Sequence, residues 1–240
     1  MSDSTASDST ASGSTASGST ESTVAAFFEA IGVGDQTEVR ALLDRIPDLL
    51  DEPGPDGASA ALTALYHGHA PLADELAART GELTVFEAAA FDDTDRLAEL
   101  IRTDAAAVDA WSADGWQPLH LAAYFGRAEA ARVLLDSDAV VDEPSRNPMR
   151  VQPLHAAAAG RHVELVWLLI ASDAPIDARQ RGGWTPLHAA VQNGDEESVQ
   201  ALLAAGADPS VANEDGATAR DLAADRAMDD AVRILIERTP

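Results

Sequence analysis

Three histidines recur in the same local setting: Gln117-Pro118-Leu119-His120, Gln152-Pro153-Leu154-His155 and Thr185-Pro186-Leu187-His188. An imidazole that titrates near neutral pH is a candidate general base, and three that converge could hold a zinc ion. Metal chemistry needs ring nitrogens about 2 Å from a shared ion, so everything depends on how far apart the chain holds them. His67 and His69 form a further pair in an expected turn, without a third ligand in view. Asp92–Asp93, Asp229–Asp230 and the acidic run at 195–197 have the residue types of acid–base pairs. Acidic runs near helix starts are favoured by the helix dipole, however, and are ordinarily solvated. In a chain with 41 acidic residues they carry little information. There is no cysteine, hence no thiolate nucleophile, disulfide or thiolate zinc site. No GxSxG, HExxH or phosphate-cradling glycine loop occurs. The sequence therefore supports no enzyme, no metal site and no cofactor.

The elements that carry the histidines repeat. Pro118, Pro153 and Pro186 are spaced 35 and 33 residues apart. Another 33-residue step forward reaches GATARDLAA at 216–224, and a step back reaches LTVFEAAA at 83–90, so one unit is used at least five times. Each unit predicts a short helix, a tight turn, a second helix and a loop. Pro118 suits a first helical position, where its missing N–H costs nothing. Leu119, Ala122 and Ala123 form a stripe at i, i+3, i+4, and Gly126 suits a left-handed helix end. Ala130, Ala131, Val133, Leu134 and Leu135 belong to the second helix. Neither helix is long enough to be stable alone, so each unit needs its neighbour to cover it.

The stretch GWTPLHAAVQNGDEESVQALLAAGADPSVANEDG at 183–216 resembles an ankyrin repeat, as do GWQPLHLAAYFGRAE from Gly115 and RVQPLHAAAAGRHVE from Arg150. The resemblance is strong over 111–216 and in register, though weaker, over 82–110 and 217–238. It implies an all-α ankyrin-repeat solenoid of stacked helix-turn-helix units with hairpin-like loops. It also implies that His120, His155 and His188, like Pro118, Pro153 and Pro186, are structural, each histidine tying its own loop to the next repeat. Stacked layers lie roughly 8–10 Å apart, too far for one ion to bridge them. The units depart from the family pattern in places. Gln117 and Gln152 replace the capping threonine seen at Thr185, Arg161 replaces the turn glycine matching Gly126 and Gly194, and Asp138 and Asp173 match Gly206. These units are expected to be less stable than the one at 183. The connection at 80–84 is too short for a full hairpin, and the regularity is expected to break there.

The expected organisation is a disordered Ser/Thr/Ala-rich tail over 1–22, built on a five-residue DSTAS-like unit, and a repeat domain over 23–240. The domain divides into an N-terminal cap helix pair at 23–56, a degenerate repeat at 57–81, repeats at 82–114, 115–149, 150–182 and 183–215, and a C-terminal cap at 216–240.

Composition narrows the partner. The net charge is −25, and all 16 basic residues are Arg. Such a charge opposes binding to phosphate backbones, so no nucleic-acid partner is expected. It fits either bulk solvation, as in a halophile, or a basic partner. The longest apolar stretch, VELVWLLIA at 163–171, falls short of the ~20 residues of a membrane span. The N-terminus lacks a secretory pattern, so a cytoplasmic monomer that does not enter membranes is expected.

In ankyrin proteins partners dock on hairpin tips and on the concave face of the first helices. Trp116, Val151 and Trp184 share one position just before that helix, Trp111 lies in the preceding loop, and Tyr124 falls late in a first helix. Exposed Trp and Tyr are enriched in binding hot spots. Arg146, Arg150, Arg179 and Arg181 fall in the loops of two adjacent units and could read carboxylates bidentately, or pair with Asp142, Glu143 or Asp177. The sequence thus points to a non-enzymatic scaffold, adaptor or inhibitor that binds an unidentified protein through Trp111, Trp116, Tyr124, Arg146, Arg150, Arg179, Arg181 and Trp184. The alternative is an acidic decoy or regulatory subunit that occupies a basic surface of a nucleic-acid-binding protein or an enzyme.

Overall fold

The computed structural model describes the backbone of residues 14–224, as thirteen α-helices with one isolated β-bridge, Ala212–Thr218. Residues 1–13 of the expected tail and 225–240 of the expected C-terminal cap lie outside the described residues. The described chain forms two compact units that divide between Gly81 and Glu82, within the connection too short for a hairpin.

The first unit holds α1 (Ser14–Val33), α2 (Gln36–Arg45), α3 (Ala60–Tyr66) and α4 (Ala70–Thr80). Helix α1 begins at Ser14, inside the segment expected to be an unstructured tail. Phe27, Phe28 and Ile31 are buried and anchor its C-terminal half. Asp35 caps α2 by accepting the Thr37 and Glu38 N–H groups. His69 donates from Nε2 to Gly32 O at 3.0 Å, tying the second helix pair to the first.

The second unit is an all-α solenoid of stacked repeats. Its helices pair as α5 (Val85–Phe91) with α6 (Thr94–Thr103), α7 (Pro118–Phe125) with α8 (Ala128–Asp136), α9 (Pro153–Gly160) with α10 (Val163–Ala171), and α11 (Pro186–Gln192) with α12 (Glu196–Ala204). Helix α13 (Ala219–Ala224) follows. Pro118, Pro153 and Pro186 occupy the first helical positions, where the sequence puts them. The first helices meet through small residues: Ala88, Ala89, Ala122, Ala123, Ala156, Ala157 and Ala190 are buried. Alanine lets these helices approach closely. Leu97, Leu134, Leu169 and Leu202 of the second helices fill the space behind them. Each fully buried leucine contributes roughly 2 kcal/mol.

The departures from the repeat pattern are visible in the backbone. Asp138 (φ 65°), Asp173 (φ 65°) and Arg161 (φ 61°) adopt the left-handed conformation that Gly126 and Gly206 adopt without a β-carbon. Thr185 accepts the His188 N–H and donates from Oγ1 to His188 Nδ1 at 2.8 Å. At the equivalent place in the 150–182 unit, Gln152 Oε1 and His155 Nδ1 are both buried without a hydrogen-bond partner. Replacing Gln152 with Thr is therefore expected to raise stability by about 1 kcal/mol, the value of one helix cap. Urea midpoints for the Gln152→Thr protein and the wild type check this; an unchanged or lower midpoint would refute it.

Candidate functional site

The three histidines are tied into the fold through their Nε2 edges. Each donates from Nε2 to a carbonyl of the following repeat: His120 to Val151 O at 2.9 Å, His155 to Trp184 O at 3.1 Å and His188 to Ala217 O at 3.2 Å. On the other ring edge, the Gln117 N–H reaches His120 Nδ1 at 3.4 Å and the Thr185 N–H reaches His188 Nδ1 at 3.2 Å. A donor facing Nδ1 fixes the neutral tautomer with its proton on Nε2. Burial pushes the pKa of His120 down to about 4 and that of His155 down to about 4, with the next-repeat carbonyls partly opposing the shift. Burial lowers that of His188 as well. Among the described residues no three His, Cys, Asp or Glu side chains are grouped as a metal ion would need.

A second ladder of ties runs along the turns between paired helices. Arg127 Nε donates to Ala90 O at 2.7 Å, His162 Nε2 to Tyr124 O at 3.0 Å and Asn193 Nδ2 to Ala159 O at 2.9 Å.

The loops form a continuous edge. Four are closed by the same bond, from Ser112 N to Trp116 O, Ser145 N to Val151 O, Gln180 N to Trp184 O and Asn213 N to Ala217 O, each 2.8–2.9 Å. Adjacent tips are stitched together by Arg146 N to Gly115 O, Arg181 N to Met149 O and Glu214 N to Gly182 O. This stitching requires Gly115: its φ is +84°, and a β-carbon there would sit 2.8 Å from Asn147 N. The 35-residue spacing also finds its place here. The loop closed by Ser145 and Val151 is two residues longer than its neighbours, and its tip carries Met149, 48% exposed, and Arg150 at φ 52°.

The aromatic candidates divide. Trp116 and Trp184 are half-buried, with ring centroids 5.7 Å and 5.6 Å from His120 and His188 of their own repeats. Trp111 is half-buried too, with the Arg146 guanidinium 4.2 Å from its ring centroid. Much of each indole is thus spent on loop packing. Tyr124, at the end of α7, is 44% exposed. One exposed aromatic escapes the sequence reading: Trp167 on α10, 48% exposed. Helical phase reveals it, since it lies two residues from each of the buried Leu165 and Leu169 and so points away from the core.

Three of the four arginine candidates converge, and Arg146, over the Trp111 ring, is not among them. Arg150, Arg179 and Arg181 line a single pocket of about 650 Å³ with Gln180, Gly182, Gly183, Asn213 and Glu214. The ion pairs among the described residues use Arg40, Arg79, Arg96 and Arg132. None involves Arg146, Arg150, Arg179 or Arg181, and none reaches Asp142, Glu143 or Asp177. Arg179 is held by carbonyls instead, through Nη2 to Ala212 O and Nε to Gly183 O.

Tandem helix pairs tied by buried histidines, with loop tips stitched into one edge, define a helical repeat protein of the interaction-module class. A family model described as ankyrin repeats (3 copies) matches residues 85–180 and, overlapping them, 154–240. The chain belongs to the ankyrin repeat family, whose repeats serve as protein–protein interaction modules. No curated protein matches it. Among the described residues no helix is long and apolar enough to cross a membrane.

Proposed function

We propose that the protein is a non-enzymatic interaction module that holds a protein partner against its hairpin-loop edge and the exposed ends of its first helices. One observation carries this reading: in a chain of net charge −25, Arg150, Arg179 and Arg181 of two adjacent loops make no ion pair among the described residues and line one pocket. Exposed Tyr124 and Met149 add apolar contact area to the same unit. The remaining acidity serves solvation.

The test begins with capture of a binding protein from the native lysate on the full chain, followed by titration of that purified protein. The Tyr124→Ala, Met149→Ala double variant changes only exposed side chains, so its fold is expected to be unaffected. Affinity is expected to drop at least tenfold. Undiminished affinity together with a steep loss of binding at high ionic strength would instead give the acidic-decoy reading.

A further inference from the structure

We infer that the pocket lined by Arg150, Arg179 and Arg181 is a receptor for carboxylate side chains on an extended segment of the partner protein. The inference rests on the interaction role proposed above and assigns the chemistry of what is bound. The pocket volume of about 650 Å³ falls within the range of ligand sites. Its lining comes from three successive loops: Arg150 from one, Arg179 to Gly183 from the next, and Asn213 and Glu214 from the third. A segment laid along the stitched tips would cross all three.

The arginines have distinct duties. Arg179 is committed to the Gly183 and Ala212 carbonyls, so it contributes charge while clamping two loops together. The guanidinium groups of Arg150 and Arg181 make no ion pair or hydrogen bond among the described residues. Their backbones are nonetheless fixed, with Arg150 N bonded to Asn147 O and Arg181 N bonded to Met149 O. Planar donors on an ordered backbone, lacking an acceptor, suit bidentate recognition of carboxylate. Arg150 also holds a left-handed backbone conformation at φ 52°, which costs a non-glycine residue energy.

The surrounding charge selects the ligand. A polyanion such as nucleic acid would meet the field of the whole chain, whereas one or two carboxylates on a peptide meet mainly the local excess of arginine. Glu214 in the lining penalises a dianionic phosphate more than a single carboxylate. The exposed Met149, whose carbonyl receives Arg181 N, places an apolar contact beside the charges.

The test applies the fluorescently labelled full chain to arrayed nonapeptides with randomised flanks around a fixed Glu-Leu-Glu centre. Companion arrays carry Gln-Leu-Gln and phosphoserine-Leu-phosphoserine centres. The Glu set is expected to retain the wild type at least tenfold more strongly than the Gln set. The Arg150→Gly, Arg181→Gln double variant is expected to lose at least tenfold in binding to the Glu set. Glycine at 150 keeps the left-handed backbone, so the variant retains its fold. The control is Arg161→Gln, another exposed arginine outside the pocket and without an ion pair; it is expected to bind like the wild type. Equal binding by the double variant, an equal loss in the Arg161→Gln protein, or stronger retention by the phosphoserine set would each overturn the assignment. So would self-association in sedimentation that the double variant abolishes, because a second copy would then fill the pocket. Loss of the Glu preference while a captured partner still depends on Tyr124 and Met149 would sink this inference alone.

Discussion

Acidification from pH 7 to pH 4 is expected to cost the repeat unit about 3 kcal/mol at each of His120 and His155. Both are buried, and burial holds each near a folded pKa of about 4, against about 6.5 in an unfolded chain. Because the folded value is the lower one, protons bind preferentially to the unfolded chain. The stabilisation is complete above pH 6.5, is lost as pH falls from 6.5 to about 4, and changes little below that. Within that window the slope is about 1.4 kcal/mol per pH unit for each histidine. The structural cause is specific. A second ring proton would appear on Nδ1, which at His120 faces the Gln117 N–H and at His155 has no acceptor within reach. Donor would oppose donor at one site, and a buried donor would go unpaired at the other. Neutralisation of surface carboxylates works in the opposite direction over part of the same range, by relieving self-repulsion. A difference measurement separates the two. Urea unfolding of the wild type and of His155→Gln, which keeps a donor but does not titrate, is followed by circular dichroism from pH 7 to pH 4. The variant's slope is expected to be shallower by one histidine's worth. Identical slopes would show that His155 is not held neutral.

The structural place of the histidines and the repeat architecture were legible together. A Pro-Leu-His step recurring at nearly constant spacing points to equivalent positions in stacked units, and the resemblance to ankyrin repeats implies that each histidine ties its own loop to the next repeat, where its carbonyl partner lies. The left-handed positions were legible as well: Arg161, Asp138 and Asp173 fall where other units carry glycine, and the backbone there demands positive φ whatever the side chain. Less legible was anything depending on how loop tips lean on one another. Trp116 and Trp184 look like free anchors in sequence because the positions before a helix are ordinarily exposed. In the structure each ring rests near the histidine of its own repeat. The convergence of Arg150 with Arg179 and Arg181 depends on the longer tip at 145–151, and the sequence shows that length only as a spacing of 35 where 33 recurs. The start of α1 at Ser14 was hidden because its Ser-, Thr- and Gly-rich first half disfavours helix on its own, while the buried contacts lie a dozen residues later at Phe27 and Phe28.

In dilute buffer of about 20 mM ionic strength the chain is expected to lose most of its helical circular-dichroism signal, and to regain it in molar potassium chloride. The argument begins with the imbalance of 41 acidic against 16 basic residues. The ion pairs among the described residues engage few of those acids: Glu75, Glu82, Glu99, Glu129 and Glu164. The rest repel one another, and folding brings them closer together. At 0.1 M salt the Debye length is about 10 Å, comparable to the spacing between neighbouring repeats, so repulsion is felt from layer to layer. At 1 M it is about 3 Å, and each charge is screened from the next layer. Nothing in the solenoid compensates at low salt, because its core is built largely on alanine, which buries little apolar area per residue. A sequential array also lets the loss begin in the weaker 150–182 unit, which carries Gln152 and Arg161, and spread from it. The measurement is ellipticity at 222 nm against salt, repeated with the Gln152→Thr protein, whose midpoint is expected at lower salt. A signal unchanged from 20 mM to 1 M would mean that the fold carries its charge without screening. The acidic surface would then be free to act as an electrostatic attractor for a basic partner, and the decoy reading would gain what the loop edge lost.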